Sequence, residues 1–318
     1  MELLENKRKV TKAMILAGGI GTRFLPATLA VAKELVAVGN KPILLHHLED
    51  LVRAGINDVL IVGNKLKEES FKNFLNPPKE YLDRLERDGK MGMLAEFNEL
   101  MSKVKITYIN QDDESYEYDG KVFHNDLCKQ QGSAIAIYAG KGWAGDEPFF
   151  VVNGDDMMVY DDGKCVTQEI IDIFRETGDY VMSGREVDRD LIYKYSSMEV
   201  GEKVGNNGFK MLSIVEKPPK GTETSNIMGF ARYIYTSDVF DRIKECKPRS
   251  NGEYCIVDVF ADVAKEGKAS ACLFDGNYFD CGSISGFALA NLYVALKDES
   301  AVNVVREGAE DLLDKFID

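Results

Sequence analysis

The stretch Ala17-Gly18-Gly19-Ile20-Gly21-Thr22-Arg23-Phe24-Leu25-Pro26-Ala27-Thr28 directly follows the apolar run Lys12–Ala17. That run predicts a short buried strand, and the glycines place a tight turn at its carboxyl end. Glycines in such a turn let successive backbone N–H groups point toward an anion, because no Cβ stands in the way. The backbone around Gly19, Gly21 and Thr22 is therefore a candidate cradle for a phosphate chain.

Two basic side chains accompany this glycine-rich loop. Arg23 lies within it, and its planar guanidinium matches the geometry of phosphate oxygens. Lys33 follows ten positions later and is a second candidate cation. A glycine-rich loop with nearby bases is typical of a site that binds a polyphosphate.

Other interpretations of the loop are weaker. A dinucleotide-binding fingerprint needs a third glycine where Leu25 or Pro26 stands, so a nicotinamide-dependent dehydrogenase is disfavoured. A P-loop needs Gly-Lys followed by Ser or Thr, which this stretch lacks. A plain turn at a strand end, with no ligand, is the remaining alternative.

Apolar strand patterns alternate with helical patterns through the first half of the chain. This alternation predicts a parallel sheet covered by helices on both faces. The second half is richer in strands, and Val302–Asp318 reads as a peripheral helix. The predicted strands of the first half are Lys12–Ala17, Asp58–Val62, Lys105–Ile109 and Pro148–Asn153, and the predicted helices are Pro42–Ala54, Lys65–Leu75, Glu80–Met101 and Gly132–Tyr138.

The bulk composition excludes several classes of protein. The 318 residues carry 53 acids against 39 bases, a net charge of -14, which disfavours nucleic acid and anionic membranes as partners. Six cysteines without a C-x-x-C pair argue against a zinc site and a disulfide framework. No run of 18 apolar residues and no signal-peptide pattern occur, so we expect a cytoplasmic enzyme with no membrane partner.

Two acids follow a very apolar strand in Asn153-Gly154-Asp155-Asp156-Met157. The carboxyl ends of parallel strands are where α/β sheets bind ligands, and carboxylate oxygens suit Mg²⁺. An Asp-Asp turn without a metal is the alternative. A further acid and base, Glu216 and Lys217, end a strand before Pro218, where both side chains can reach one ligand.

Residues 17–34 resemble the signature A-G-x-G-T-R-x-x-P-x-T, followed by K-E, of the sugar-1-phosphate nucleotidylyltransferases. The form Phe24-Leu25-Pro26-Ala27-Thr28 is most similar to the bacterial UTP–glucose-1-phosphate uridylyltransferases, and the similarity continues along nearly the whole chain. The resemblance implies a Rossmann-like, GT-A-type α/β fold. Its mostly parallel central sheet is flanked by helices and joined to a smaller strand-rich sugar-binding part.

The resemblance also implies a reaction and a role for each site residue. UTP and glucose 1-phosphate would give UDP-glucose and pyrophosphate, with Mg²⁺ held by Asp155 and by Asp280 of the Tyr278–Ser283 turn; Asp156 is the alternative ligand. Arg23 and Lys33 would contact the triphosphate, and Lys217 would neutralise the sugar phosphate. The nucleotide would be bound by Ala17, Gly18, Gly19, Gly21, Thr22, Gln131 and Gly132, and the sugar by Glu216 and Glu253.

The sequence has no internal repeat, no low-complexity segment and no linker rich in Pro, Gly or Ser, so we expect one domain over residues 1–318. About 10–160 would bind the nucleotide, about 161–298 the sugar phosphate, and 299–318 would form a helical tail. The charged insertion Lys67–Lys103 favours the uridylyltransferases over their thymidylyltransferase relatives. A homo-oligomer, dimer or tetramer, is expected. A pyrophosphorylase using dTTP, CTP or another sugar 1-phosphate, and a non-catalytic sugar-nucleotide-binding paralogue, remain alternatives.

The chain departs from the family pattern at several positions. The most informative is Gln130-Gln131-Gly132, which replaces a G-L-G turn that closes over the base. Ala231 replaces a glycine, and Ser196 stands where a glycine near the sugar is usual. The other departures are Leu29 for lysine, Ala32 for proline and Asn153 for an apolar residue.

Overall fold

The computed structural model describes residues 8–316, apart from the side chain of Phe316. Residues 1–7 lie outside the described residues, as do residues 317–318 of the predicted C-terminal helix Val302–Asp318. The strands are β1 Lys12–Leu16, β2 Ala37–Val38, β3 Lys41–Pro42, β4 Asp58–Gly63, β5 Lys105–Asn110, β6 Ser115–Tyr118, β7 Lys121–His124, β8 Phe149–Asn153, β9 Asp156–Val159, β10 Tyr180–Glu186, β11 Ser196–Val204, β12 Gly208–Glu216, β13 Ile227–Tyr235, β14 Ala269–Leu273 and β15 Asn277–Asp280.

Helices cover the sheet and connect its strands. They are α1 Ile43–Arg53, α2 Glu68–Leu75, α3 Lys79–Arg87, α4 Ala95–Ser102, α5 Ser133–Ala139, α6 Lys141–Ala144, α7 Val166–Thr177, α8 Val239–Glu245, α9 Ile256–Lys265, α10 Ile284–Lys297 and α11 Val302–Phe316. Within residues 8–316, none of these helices combines the length and the apolar character needed to cross a membrane.

One nine-stranded sheet organises the chain, in the order β10-β14-β12-β11-β13-β8-β1-β4-β5. The N-terminal strands β8, β1, β4 and β5 pair in parallel, whereas β8 meets β13 antiparallel. The small sheet of β9 and β15 lies apart from it and joins the middle of the chain to its C-terminal part. The predicted α/β class, with a parallel sheet followed by a strand-rich part, is confirmed.

Strand β1 shows why these apolar runs form buried strands. Met14 packs into the hydrophobic cluster on one face of the sheet, whereas Ala13 and Ile15 pack into the cluster on the other. Successive side chains of a strand point to opposite faces, so a strand covered on both sides must be apolar throughout. Each fully buried side chain of the size of Met14 or Ile15 contributes roughly 1.5–3 kcal/mol.

The structure differs from the sequence interpretation at three places. The charged stretch Glu80–Met101 is not one helix, because Gly89 adopts a positive φ of 66° and separates α3 from α4. The expected turn at Tyr278–Ser283 begins later, since Tyr278, Phe279 and Asp280 still belong to β15. The hairpin of β6 and β7 was missed, although Asp119-Gly120, both at positive φ, is a typical hairpin turn.

Candidate active site

Hydrogen bonds and an aromatic contact fix the glycine-rich loop that follows β1. The backbone N–H of Ala17 donates to the carbonyl of Val62 at 2.8 Å. Gly21 adopts a φ of 70°, which is costly for any other residue, and its carbonyl accepts a hydrogen bond from Thr28 Oγ1 at 3.0 Å. Phe24 packs edge-on against Phe287 of α10, with ring centroids 5.5 Å apart. The loop thus spans from the sheet to the C-terminal helices.

A buried ion pair supports this loop from below. Lys67 Nζ donates to both carboxylate oxygens of Glu34 at 2.9 Å and to the carbonyl of Ala17 at 2.9 Å. Asn64 Nδ2 donates to the carbonyl of Gly18 at 2.6 Å. Burial raises the pKa of Glu34, while Lys67 opposes that rise. Lys67 and Asn64 were missed in the sequence because they belong to no phosphate motif and reach the loop only through the fold.

Lys33 and Asp155 meet beside the glycines. The ammonium of Lys33 forms an ion pair with the Asp155 carboxylate, and only 15% and 18% of the two side chains are exposed. A Cβ placed on Gly19 would lie 3.8 Å from Lys33 Nζ, so this cation lies directly against the loop. The predicted phosphate cation and the predicted metal ligand are therefore neighbours.

Asp280 and Arg23 complete the same cluster. Arg23 Nη1 donates to Asp280 Oδ2 at 3.2 Å. A Cβ on Gly282 would lie 2.3 Å from Asp155 Oδ2, 3.0 Å from Asp280 Oδ1 and 3.0 Å from Arg23 Nη2. Both carboxylates and the guanidinium therefore converge at Gly282, where they occupy the space that a side chain would need.

The neighbouring acid Asp156 is engaged elsewhere. It is buried, pairs across the small sheet with Asp280, and accepts hydrogen bonds from Tyr278 Oη at 2.7 Å and Asn153 Nδ2 at 3.0 Å. Burial, followed by the charge of Asp155, raises the pKa of Asp156 to about 7. Its two oxygens hold the strands together, and its burial disfavours the ionised form that a metal ligand needs. Within residues 8–316 the acids, histidines and cysteines form no cluster of three or more suited to a metal.

Glu216 and Lys217 end β12 with a distorted backbone. Lys217 adopts a φ of 49°, and its N–H donates to the carbonyl of Tyr195 at 2.9 Å. The strained conformation turns its side chain toward the same side as Glu216, whose Oε1 lies 3.8 Å from Lys217 Nζ. Burial raises the pKa of Glu216, whereas Lys217 and Arg249 lower it.

Gln131, Gly132 and Glu253 lie on two segments that touch. Tyr254 N–H donates to the carbonyl of Gln131 at 2.8 Å, and a Cβ on Gly132 would lie 2.2 Å from the Tyr254 carbonyl oxygen. Gly132 therefore has no room for a side chain. The Gln131 side chain is exposed, and the Glu253 carboxylate accepts a hydrogen bond from Asn251 Nδ2 at 2.9 Å.

The predicted site residues thus form three groups, and the members of each group contact one another. Arg23, Lys33, Asp155 and Asp280 make the first group, Glu216 and Lys217 the second, and the segments of Gln131 and Glu253 the third. Arg249 links the last two, because its charge acts on Glu216 and its N–H donates to the Glu253 carbonyl at 2.9 Å. Two converging carboxylates beside two cations can hold a divalent metal together with a phosphate chain.

A glycine-rich loop after β1, with paired acids and bases beside it, is the arrangement of a protein that binds a phosphate chain together with a divalent metal. Residues 12–296 match the nucleotidyl transferase family, and the chain belongs to that family.

Two relatives and one solved structure are similar to this chain over most of its length. UTP--glucose-1-phosphate uridylyltransferase 2 of Staphylococcus saprophyticus is 34% identical over 293 residues, 92% of this chain and 94% of the relative. The UTP--glucose-1-phosphate uridylyltransferase of Staphylococcus epidermidis is 31% identical over 291 residues, 92% of this chain and 94% of the relative. A crystal structure of UDP-glucose pyrophosphorylase complexed with UDP-glucose superposes with a TM-score of 0.77 at 26% identity, covering 91% of this chain and 100% of that one.

Proposed function

We propose that this protein transfers a uridylyl group from UTP to glucose 1-phosphate, giving UDP-glucose and pyrophosphate. The observation that carries the proposal is the convergence of Asp155, Asp280 and Arg23 at Gly282, beside the glycine-rich loop. The names of the staphylococcal relatives support the choice of substrates.

The reaction is an in-line attack of a sugar phosphate oxygen on the α-phosphorus of UTP. No protein nucleophile is needed, because the sugar phosphate is itself an anionic nucleophile. Catalysis then consists of positioning and charge neutralisation. Arg23 and Lys33 neutralise the triphosphate as charge moves to the departing pyrophosphate. Lys217 neutralises the attacking phosphate and holds it in line.

Asp155 and Asp280 are the residues that would hold Mg²⁺. Hard carboxylate oxygens fit this ion, which takes few protein ligands and fills its remaining positions with water and phosphate oxygens. When bound, Mg²⁺ supplies positive charge at the α-phosphate. The Asp155 carboxylate, which pairs with Lys33, would be one ligand of the ion, and Lys33 would then be available to the phosphate chain.

Backbone and side chains of both halves complete the substrate site. Gly18, Gly19, Gly21 and Thr22 offer backbone N–H groups to the nucleotide, and Ala17, whose own N–H donates to the carbonyl of Val62, lines the site. Gln131 with Gly132 closes over the base. Glu216 and Glu253 accept hydrogen bonds from sugar hydroxyls. We assign about 10–160 to nucleotide binding, about 161–298 to the sugar phosphate and 299–318 to a helical tail of a single domain.

We further propose that the protein forms a homo-oligomer, either a dimer or a tetramer. Exposed leucines on α10 and α11 favour burial against a second copy, because large apolar side chains gain free energy when they leave water. They are Leu289, Leu292, Leu296, Leu312 and Leu313. Sedimentation velocity of the full chain and of a Leu312→Ser, Leu313→Ser variant tests this, and a monomer at micromolar concentration would contradict it.

A screen of nucleotide triphosphates against sugar 1-phosphates, with pyrophosphate release as the readout, tests the reaction. We expect the highest kcat/KM for UTP with glucose 1-phosphate in the presence of Mg²⁺. A higher value for dTTP or CTP would favour a related pyrophosphorylase, and no release for any pair would favour a binding paralogue. Oxidation of NADH, followed by absorbance, would instead support the dehydrogenase interpretation.

A further inference from the structure

A buried arginine lies away from the residues assigned to the substrates. Arg232 on β13 is only 2% exposed, and its Nη2 donates to Nδ1 of His47 at 3.2 Å. Its Nε and Nη1 have no hydrogen-bond partner among residues 8–316. A buried guanidinium with free N–H groups is costly for a fold unless an anion or another acceptor reaches it.

Arg232 borders a cavity of about 240 Å³ between α1, β9 and the segment leading into α7. A water molecule occupies about 30 Å³ of liquid, so the cavity has room for a polyatomic ion and its remaining hydration. Polar and basic side chains contribute much of the wall. The cavity is lined, among others, by His46, His47, Arg53, Met158 and Lys164.

The acids that face the cavity are already engaged. Asp50 accepts hydrogen bonds from Thr167 Oγ1 at 2.6 Å, from the N–H groups of Thr167 and Val166, and from Arg53 Nη2 at 3.0 Å. Glu49 accepts a hydrogen bond from Lys41 Nζ at 2.7 Å. Asp50 therefore holds the start of α7, and neither Asp50 nor Glu49 hydrogen-bonds to Arg232. Burial lowers the pKa of Arg232, while the charges of Asp50 and Asp156 raise it.

The other cationic groups of the wall have partners as well. Arg53 Nη1 donates to the carbonyl of Gly163 at 3.1 Å, and Lys164 pairs with Asp162 at 2.7 Å. His46 contacts the carbonyl of Val38 at 3.2 Å. Arg232 is thus the charged group of this wall whose N–H donors lack acceptors within the described residues.

We propose that this cavity binds a small inorganic oxyanion of the phosphate type, with Arg232 as its principal ligand. The guanidinium presents directional N–H donors that oxygen acceptors match, and an anion complements its charge better than a neutral ligand. Lys164, whose side chain is 69% exposed, lies at the mouth and adds a favourable potential for an entering anion.

The site is connected to the metal-binding segment by two hydrogen bonds. Burial and the nearby Arg232 lower the pKa of His47, so the ring is neutral; its Nδ1 accepts from Arg232 and its Nε2–H donates to the carbonyl of Gly154 at 3.1 Å. Gly154 directly precedes Asp155. An anion that draws Arg232 toward the cavity weakens its bond to His47 and shifts Gly154. This second part rests on the proposed function, whereas anion binding does not.

Crystals of the full chain grown with selenate test the binding directly. We expect an anomalous selenium peak for a selenate ion whose oxygens accept hydrogen bonds from Arg232, and no such peak in Arg232→Met. Selenate peaks confined to Arg23 and Lys33 in the wild type would overturn the proposal, because the anion would then occupy only the triphosphate site.

Thermal unfolding in solution gives an independent test. Sulfate at constant ionic strength should raise the Tm of the wild type and of Lys33→Ala in a saturable way, because a ligand that binds only the folded state stabilises it. Lys164→Glu should weaken the apparent sulfate affinity about threefold, the range of an exposed charge, and the control Lys79→Glu should not. An affinity unchanged in Lys164→Glu would overturn the proposal even if Arg232→Met failed to fold.

The connection to Asp155 is tested by activity. Sulfate competes with substrate phosphates in every variant, so the informative quantity is its additional effect on the Mg²⁺ concentration required for half-maximal rate. We expect that requirement to shift with sulfate in the wild type and not in Arg232→Met. An equal response in both would exclude the coupling while leaving the anion site intact, and absent activity would instead contradict the proposed function.

Discussion

Lys33 and Asp155, 122 positions apart in the chain, form an ion pair at the base of the glycine-rich loop. Each is proposed to serve a different substrate group: Lys33 the triphosphate and Asp155 the metal. Their pairing satisfies both charges in a partly buried place. Under the proposal, the phosphate chain and the metal ion would replace these two partners. Metal binding and the release of Lys33 are therefore expected to occur together.

Replacing Lys33 by Ala separates these two roles. Without its cationic partner, Asp155 is free for the metal, so Mn²⁺ should bind the nucleotide-free variant more tightly than the wild type. Turnover should nevertheless fall by about one to two decades, the effect of losing a charged hydrogen bond worth roughly 1.5–3 kcal/mol. Mn²⁺ titration followed by electron paramagnetic resonance measures the first quantity. Weaker metal binding in Lys33→Ala would contradict the competition.

Removal of the metal or of its ligand charges should abolish most activity. We expect Asp155→Asn and Asp280→Asn to lose most turnover, because an amide neither carries the charge nor binds Mg²⁺ as well as a carboxylate. The exposed Asp162→Asn is the matched control and should remain active. Circular dichroism should show folded protein in each case. Full activity of the wild type in excess chelator would exclude a metal requirement.

Lys217→Ala should affect the sugar phosphate more than the nucleotide. The side chain is 67% exposed at the end of β12, so its loss leaves the fold intact and removes a charge from the ligand. The kcat/KM for glucose 1-phosphate should fall by about one to two decades, with UTP binding little changed. Lys220→Ala, an exposed lysine three positions later, is the control. The assignment fails if UTP binding is lost and glucose 1-phosphate use is unaffected.

The ion pair of Glu34 and Lys67 is expected to stabilise the loop structurally. Lys67→Met leaves a carboxylate with no exposed surface and no cationic hydrogen-bond partner, which costs about 3–5 kcal/mol in comparable buried pairs. Urea unfolding measures this loss, and the exposed Lys65→Met should differ little from the wild type. The double variant Glu34→Leu, Lys67→Met should recover much of the stability. Equal stability of Lys65→Met and Lys67→Met would show that the pair contributes nothing.

Gln130 and Gln131 are expected to soften the choice of base. Both side chains are exposed beside the turn that is proposed to close over uracil, and flexible amides can pair with more than one base. Discrimination is strong only when a wrong base leaves polar groups unpaired. The variant Gln130→Gly, Gln131→Leu should therefore prefer UTP over dTTP and CTP by a larger ratio of kcat/KM. The same ratios in variant and wild type would show that the glutamines do not face the base.

Local sequence patterns predicted the elements better than their ends. The continuous apolar run at Lys12–Ala17 predicts a strand whatever its neighbours, because it must be buried on both faces. The prediction of one helix over Glu80–Met101 is wrong, because the apolar spacing is helical on both sides of Gly89 and does not reveal the break there. Ala231 shows a limit of another kind: it replaces a glycine yet keeps a φ of 58°, so the fold imposes a glycine-like backbone on it.

The sequence by itself determined the kind of fold, the glycine-rich loop and the residue types at the site, since these follow from hydrophobic periodicity, backbone freedom and charge. Only the tertiary structure decided which groups meet. The antiparallel pairing of β9 with β15 places Asp280 opposite Asp156 and so beside Asp155, and Arg232 of β13 is buried against His47 of α1. Such contacts join residues more than a hundred positions apart. They depend on the order of strands in the sheet, a property that no local pattern of residues contains.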